Sequence, residues 1–443
     1  MKTKFMLPLS IILIATFMLT ACSTPVASPA EAQSEVPAQE NLSDQAAATA
    51  PAVAEPVEIT FWHTYNETGS ENETLVNTLI PIFEAAHPEI IVKSVSVPYD
   101  SFREKLMAAI SADTAPDLIR SDIIWVPEFA ELGALTALDE AMLDFAEYQS
   151  VVFEGPLSTN YWDGHYYGLP LDTNTKIWLY NDAMYQEAGI TNIPPKMDKL
   201  EEDCAALKAV NPDAYLFAAD GLFAWVTLPW VWSFGGSITD EDITTADGYI
   251  NGPETVAAYE TLLKLYQDGC IAPVIMGDGV DPFTGFATGI YASLDNGPWT
   301  YPILEGQFPD FTFSATAFPA GPGGSIDVVG GEDINLLSQS KHPEEAMEFI
   351  RFLLSQEYQL KMLEVGQIPV RSDIMETDAV INHPYVGAFL EQLKTSKART
   401  AHPAWSEMDQ ILTDAGQYIL REEKTPQQAL DDAAAAIDAL LAK

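Results

Sequence analysis

Strands and helices alternate directly after residue 56, and this alternation restricts the fold more than any other feature of the chain. Strand patterns at residues 57–62, 90–92 and 117–119 are separated by helical patterns at residues 75–83 and 102–112. Strands that alternate with helices at this spacing predict an α/β fold with a parallel sheet covered by helices on both faces. In such sheets, ligands bind at the carboxyl ends of the strands.

Length and charge narrow the class of protein. The 443 residues exceed the size at which one hydrophobic core keeps growing, so two domains are expected. The 65 acidic residues outnumber the 21 basic residues, which gives a formal net charge of −44. Because this charge repels phosphate backbones, we expect no nucleic-acid partner.

The N-terminus has the pattern of an export signal. Lys2 and Lys4 precede an apolar run at residues 5–19 that is short for a membrane span and is followed by small residues. The next residues, Leu-Thr-Ala-Cys, resemble a bacterial lipobox, which predicts a lipoprotein signal peptide at residues 1–21 and an acyl chain such as palmitate on Cys22. An ordinary signal peptide with an incidental cysteine is the alternative. We therefore expect an exported protein, anchored to the cell membrane and facing the extracellular or periplasmic side.

A linker and two cysteines follow from the same argument. Residues 23–56 contain no aromatic residue, lysine or arginine. This composition predicts that residues 22–56 are a disordered, lipid-anchored linker. Export also places Cys204 and Cys270 in an oxidising compartment, where they can form a disulfide. Two buried free thiols are the alternative.

Helical patterns continue through the rest of the chain. Residues 173–328 are richer in aromatic residues and have longer loops than the segments around them. The remaining helical patterns lie at residues 184–189, 199–210, 253–267, 343–356, 385–395, 403–421 and 426–441. Several of these begin with proline, which is typical of the first turn of a helix.

Several motifs occur in the order and spacing of a known family. They are Ile59–Thr64, Ala115–Asp117 with Asp122 and Trp125, Phe129–Gly133, Gly164–Pro170, Leu179–Asn181, Asn296–Trp299, Gly330–Glu332 and Ser340–Ala346. Together they resemble the family 1 extracellular solute-binding proteins, the sugar-binding lipoproteins of ABC transporters that are related to the maltose-binding protein. The similarity covers nearly all of residues 57–443.

The resemblance implies a type II periplasmic-binding-protein-like fold, in which two α/β lobes are joined by a hinge. We expect lobe one to comprise residues 57–171 and 330–370, and lobe two to comprise residues 172–329 and 371–443. The implied function is that of the substrate-binding lipoprotein of an ABC importer, which captures a carbohydrate, here an oligosaccharide, by hinge closure. Its partners would be the ABC permease subunits in the membrane. We expect a monomer without a cofactor and without enzymatic activity.

The candidate binding residues follow from the chemistry of a sugar. A sugar has hydroxyls around its edge and apolar C–H faces, so its site needs aromatic rings and polar groups. The candidates at strand ends, at crossovers between the lobes and in the motifs above are Trp62, His63, Thr64, Tyr65, Asp122, Trp125, Asp172, Asn174, Trp230, Trp232, Gly235, Gly236, Trp299, Glu332 and Arg371. The resemblance implies that Trp299, after its Gly-Pro pair, stacks on the ligand. If residues 230–232 are extended, their two tryptophans point to opposite sides, and one of them faces the cleft.

Two other functions remain open at this point. The same fold can bind a polyamine, an amino acid or another cationic solute, and paired acids with aromatic residues also suit an exported glycosidase. The chain contains no GxSxG, HExxH or P-loop motif and no GxGxxG between a strand and a helix. His63 and His165 are too dispersed for a zinc site, so we expect no metal.

Overall fold

The computed structural model describes residues 55–442. The predicted signal peptide at residues 1–21, the predicted lipidation site Cys22 and nearly all of the predicted linker lie outside the described residues. Among residues 55–442, no helix is both long enough and apolar enough to cross a membrane.

The described chain forms two lobes, each built around its own sheet. The strands are β1 (Val57–His63), β2 (Ile90–Ser96), β3 (Leu118–Asp122), β4 (Tyr161–Trp162), β5 (His165–Tyr166), β6 (Leu169–Thr175), β7 (Ile177–Tyr180), β8 (Ser293–Asn296), β9 (Ser314–Thr316), β10 (Val328–Leu336) and β11 (Lys397–Ala398). The α-helices are α1 (Ser70–Thr74), α2 (Ile80–Ala86), α3 (Tyr99–Ser111), α4 (Val126–Glu131), α5 (Leu138–Ala141), α6 (Phe145–Gln149), α7 (Glu154–Ser158), α8 (Asp182–Ala188), α9 (Leu200–Val210), α10 (Ala224–Phe234), α11 (Pro253–Gln267), α12 (Pro282–Ala287), α13 (Thr300–Gln307), α14 (Pro343–Leu353), α15 (Gln356–Leu363), α16 (Asp378–Ile381), α17 (Val386–Leu393), α18 (Trp405–Leu420) and α19 (Pro426–Leu441).

The sheet of the first lobe has the strand order β11-β10-β3-β1-β2, and β6 also pairs with β10. β1 is parallel to β2 and to β3, as the alternation of strands and helices predicts. Ile59 and Phe61 of β1 point inward, and Phe61 packs against Phe349 of α14. The carboxyl ends of β1 and β3 therefore meet at one edge of the sheet.

The sheet of the second lobe has the strand order β8-β7-β9, with both pairings antiparallel. Its main hydrophobic core contains Trp178 and Trp230, which are fully buried. Cys204 on α9 and Cys270 after α11 belong to this core and are joined by a disulfide with a Cα–Cα distance of 5.6 Å.

The chain crosses between the lobes three times. Leu171 belongs to the core of the first lobe and Ile177 to a core of the second, so β6 makes the first crossing. β10 makes the second crossing, because residue 328 belongs to the second lobe's core and residue 334 to the first lobe's core. The third crossing lies at residues 368–370, because residue 368 belongs to a core of the second lobe and residue 370 to the core of the first lobe. The crossing segments therefore lie side by side under the carboxyl edge of β3.

Two segments differ from the sequence analysis. The condition that residues 230–232 are extended is not met, because residues 224–234 form helix α10 with Pro229 inside it. Almost every residue of α10 is buried, so it lacks the one-sided apolar spacing by which a surface helix is detected. The helix expected at residues 343–356 ends at residue 353. A separate helix, α15, begins after Ser355, whose hydroxyl caps it by accepting from the Tyr358 amide.

Candidate functional site

The candidate site is the cleft between the lobes, and its floor is built around Arg120 of β3. Arg120 is only 3% exposed. Its guanidinium donates to Asp172 Oδ2 at 2.9 and 3.2 Å, lies 2.7 Å from Glu332 Oε2, and donates to Thr64 Oγ1 at 2.6 Å. The ring of Tyr65 lies against the guanidinium, 4.1 Å away. A buried guanidinium is stable only with such partners, so these contacts fix its position.

Glu332 is the member of this group that faces the cleft. Its side chain keeps 15% of its surface exposed, whereas those of Arg120 and Asp172 keep 4% each. Burial raises the pKa of Glu332 well above its ordinary value, and the negative charge of Asp172 raises it further, while Arg120 opposes the rise. One guanidinium does not neutralise two carboxylates, so Arg120 offsets the cost of burying Asp172 and Glu332 only in part.

A second charged group occupies the carboxyl end of β3. Asp122 Oδ1 accepts from Arg399 at 3.0 Å, and its Oδ2 accepts from the Tyr99 hydroxyl at 2.7 Å. Tyr99 is 44% exposed, yet burial and then Asp122 raise its pKa well above the ordinary value. A side chain that is reachable by solvent and still surrounded by protein lies on the wall of a cleft. Tyr99 therefore offers an aromatic surface from the first lobe.

Trp225 and Trp299 form the aromatic surface of the second lobe. Their rings are 6.2 Å apart with an angle of 30° between their planes, and both are partly exposed. Arg399 lies 5.1 Å and Lys176 5.6 Å from the centre of the Trp225 ring, within the range of cation–π attraction. Trp225 also covers Gly330, because a Cβ atom built there would lie 2.6 Å from its ring. These contacts hold the tryptophan ring against the second crossing segment.

Buried groups hold Trp225 from below. The Asp409 carboxylate of α18 accepts from the Ala224 amide at 2.6 Å and so fixes the first turn of α10. Lys176 is fully buried, forms an ion pair with Asp295 and lies 3.6 Å from Asp327. Burial and then Asp295 raise the pKa of Asp327 well above its ordinary value.

Several polar atoms of the cleft floor have no partner within the described protein. They are Oδ1 of Asp172, Oδ1 of Asn174 and Nε of Arg399, all on buried residues. An unsatisfied buried polar atom costs about 1–3 kcal/mol.

The structure corrects three assignments at the strand ends. His63 is fully buried, its Nε2 lies 2.7 Å from Ser94 Oγ, and burial lowers its pKa to about 3. Tyr65 is buried beneath Arg120, and Trp125 is buried between Tyr99 and Phe102. These side chains support the cleft wall and do not reach its surface. Trp62 and Thr64 alternate with His63 and Tyr65 along the chain, so their side chains point to the opposite side, and both are partly exposed.

Five further assignments outside the strand ends are also corrected. Trp230 and Trp232 are buried in the core of the second lobe. Gly235 ends α10 in the left-handed conformation, and a Cβ at Gly236 would lie 2.3 Å from Thr255 Oγ1, so both glycines serve the chain turn. Arg371 pairs with Asp373 at 2.6 Å on the exposed side of the hinge. The structure brings together Asp122, Asp172, Asn174, Trp299 and Glu332 from the predicted set.

Four cleft residues were not found from the sequence: Tyr99, Arg120, Trp225 and Arg399. Arg120 had a detectable signal, because it lies two residues before Asp122 in a strand and therefore shares its face. Trp225 lies in an apolar stretch with no periodic signal. Among residues 55–442, no group of three or more His, Cys, Asp or Glu side chains is arranged to hold a metal ion.

Comparisons with known proteins agree with this architecture. A family model described as bacterial extracellular solute-binding protein matches residues 64–360. A binding protein of Brucella abortus (strain 2308) is 29% identical over 367 residues, which cover 82% of this chain and 88% of the relative. The maltotriose-binding protein of Pyrococcus abyssi is 25% identical over 343 residues, covering 75% and 70%. The structure of an ABC transporter solute-binding protein from Thermotoga lettingae with α-D-tagatose has a TM-score of 0.78 at 25% identity, covering 87% of this chain and 99% of that one.

Proposed function

The chain belongs to the bacterial extracellular solute-binding proteins, and on that basis we propose that it is the receptor of an ABC importer that captures a carbohydrate in the interlobe cleft. Ligand contact with both lobes would stabilise the closed arrangement, because a ligand shifts a conformational equilibrium by its differential affinity for the two states. Closed protein would then deliver the sugar to the permease.

One observation carries this proposal: the tryptophan pair of the second lobe lies beside unpartnered polar atoms of the cleft floor. The partly exposed rings of Trp225 and Trp299 are 6.2 Å apart. Asn174 Oδ1 lies beside Gly330 of the second crossing, where the Trp225 ring also lies. Aromatic faces suit the C–H faces of a pyranose, and the amide and carboxyl groups beside them suit its hydroxyls. Polar and charged groups beside the rings do not suit a fully apolar ligand.

The extent of the aromatic surface supports an oligosaccharide. Tyr301 follows Trp299 on α13 and stacks on Tyr385 at 3.9 Å between ring centres. The Tyr385 hydroxyl approaches Gly366, next to the third crossing. Tyr99 of the first lobe and the Trp225–Trp299 pair of the second lobe thus supply more aromatic rings than one sugar ring needs.

Calorimetric titration of the full chain, purified in detergent, tests the function. Maltotriose and tagatose are the first probes, because the Pyrococcus relative is named for maltotriose and the Thermotoga structure is described as bound with tagatose. For whichever of these sugars binds, Trp225→Ala should weaken the binding free energy by about 2–4 kcal/mol, the range for an aromatic hot spot. Trp162→Ala is the matched control, because Trp162 is partly exposed on the first lobe and donates to Glu131 at 3.2 Å. Equal affinities in the two variants would remove Trp225 from the site.

A cationic solute is the second candidate, and the surplus carboxylate at Arg120 favours it. Asp172 and Glu332 share one guanidinium, so a ligand cation could balance the carboxylate charge that Arg120 alone leaves unpaired. Spermidine should then bind with a strong dependence on salt, while neutral sugars give no heat.

Recovery of the sugar unchanged after long incubation would support a receptor, and turnover would favour a glycosidase.

Three further features complete the proposal. Lobe one comprises residues 57–171 and 330–370, and lobe two comprises residues 172–329 and 371–443. Acylation at Cys22 after removal of residues 1–21 would hold the protein on the outer side of the membrane as a monomer. Cys22→Ser should release the protein from the membrane fraction and abolish palmitate labelling. Retention of that variant in the membrane fraction would argue against the anchor.

A further inference from the structure

Arg120 contacts all three segments by which the chain crosses between the lobes. Its Nη2 donates to Asp172 of β6 at 2.9 Å and lies 2.7 Å from Glu332 of β10. The same nitrogen donates to Gln367 Oε1 at 3.2 Å, in the segment that makes the third crossing. A single buried side chain therefore touches each of the three connections.

The remaining contacts of Arg120 attach this group to the first lobe. Nη1 donates to Thr64 Oγ1 at 2.6 Å, and the ring of Tyr65 supports the guanidinium from one side. Gln367 in turn donates to Glu71 Oε1 of α1 at 2.6 Å. The third crossing is thus bonded both to the guanidinium and to the first helix of the first lobe.

We propose that Arg120 is a positioning residue that couples ligand contact in the cleft to the angle between the lobes. Hinge motion rotates the crossing segments relative to one another, so a change in that angle would alter the contacts of Arg120 to Asp172, Glu332 or Gln367. The contacts therefore favour the lobe arrangement in which they are all made. Glu332 links them to the ligand, because its side chain keeps 15% of its surface exposed whereas that of Asp172 keeps 4%.

Charge complementarity explains why the group is an arginine. Its Nε, Nη1 and Nη2 reach Asp172, Thr64 and Gln367 at once, which the single ammonium of lysine cannot do with the same geometry. Removal of the charge would leave Asp172 and Glu332 facing each other without a cation, which destabilises the fold itself. The test therefore uses substitutions that keep the charge.

Gln367→Met is the central variant, because it removes only the bonds of the third crossing. Gln339→Met is the matched control, since Gln339 also makes one side-chain bond, from Nε2 to the Ile110 carbonyl at 2.9 Å, at a site within the first lobe. Arg120→Lys keeps the charge and removes the fork. Small-angle X-ray scattering of the unliganded full chain measures the open fraction, and thermal unfolding measures stability.

The expected result separates coupling from folding. A hydrogen bond to a charged group contributes about 1.5–3 kcal/mol, so Gln367→Met should raise the ratio of open to closed protein about tenfold. Maltotriose, as the probe, should then dissociate several-fold faster, while the melting temperature stays close to that of Gln339→Met. Arg120→Lys should move both readouts further in the same direction.

The inference rests on the proposed function only for the dissociation measurement. If maltotriose and every other sugar fail to bind, the carbohydrate proposal fails and scattering still decides the role of Arg120. If Arg120→Lys does not fold, Gln367→Met decides. Scattering curves of Gln367→Met that match those of Gln339→Met would overturn the proposal.

Discussion

Gly330→Ala tests the cleft geometry directly, because it adds one methyl group and removes no side chain. A Cβ atom at this position would lie 2.3 Å from Asn174 Oδ1 and 2.6 Å from Cη2 of Trp225. Both distances are well inside van der Waals contact, so both side chains must move by about 1 Å. Gly330 is not in the left-handed region, so alanine adds no torsional strain of its own.

The magnitude follows from this overlap. Overpacking of a closely packed site costs about 1–3 kcal/mol. Because the two displaced groups are the stacking ring and the free amide oxygen of the proposed site, most of this cost should appear as lost affinity. We expect the dissociation constant for the bound sugar to rise about 10- to 100-fold, measured by calorimetric titration.

Gly387→Ala is the control for this substitution. A Cβ at Gly387 would meet nothing within 4 Å, and the residue lies inside α17. Alanine in that helix should leave the affinity unchanged and stabilise the fold by about 0.5–1 kcal/mol. If Gly330→Ala binds sugar within twofold of the unsubstituted chain, Asn174 and Trp225 do not contact the ligand.

The disulfide and a buried histidine give two predictions about stability. Replacing Cys204 and Cys270 by alanine opens a loop with a sequence separation of 66 residues, which should lower the free energy of unfolding by about 4 kcal/mol with sugar affinity unchanged. A loss below about 1 kcal/mol in denaturant titrations would contradict that estimate. His63 has a folded pKa of about 3 against 6.5 when unfolded, so the unfolded chain binds the extra proton and stability falls as the pH drops below 6.5. The loss at pH 5 should be about 2 kcal/mol, and His63→Gln should unfold with a correspondingly weaker acid dependence; identical pH profiles would refute this account.

The fold was accessible from the sequence where elements are amphipathic and bounded by clear signals. β1, β2 and α3 each present one apolar face, so spacing located them, and β3 was located from its apolar start although all its residues are buried. The helix at residues 253–267 was located with its bounds, because proline begins it and the apolar spacing runs to its end. α10 was missed because tertiary burial on all sides removes the polar face that spacing requires.

The site was accessible only in part, because a strand end identifies a region and not a direction. Asp122 was proposed from its position at the end of β3, and Glu332 from the crossover that the family resemblance implies. His63 shares the parity of Ile59 and Phe61, so the same alternation could have assigned it to the core. Trp225 depends on α10 packing against the second crossing, a long-range contact that no local pattern encodes.

The placement of positive charge explains what the cleft can accept. Within residues 55–442, the buried basic residues are Arg120, Lys176 and Arg399, and each is held by carboxylates. Carboxylates already balance these charges, since Lys176 and Arg399 lie against Trp225 while paired with Asp295 and Asp122, and Arg120 lies beneath Glu332. The groups left to meet a ligand are aromatic rings, an amide oxygen and carboxyl groups, which accept hydrogen bonds from hydroxyls and repel negative charge. Buried cations thus organise the cleft without attracting anions, and this arrangement favours a neutral, hydroxyl-rich ligand over an acidic or phosphorylated sugar.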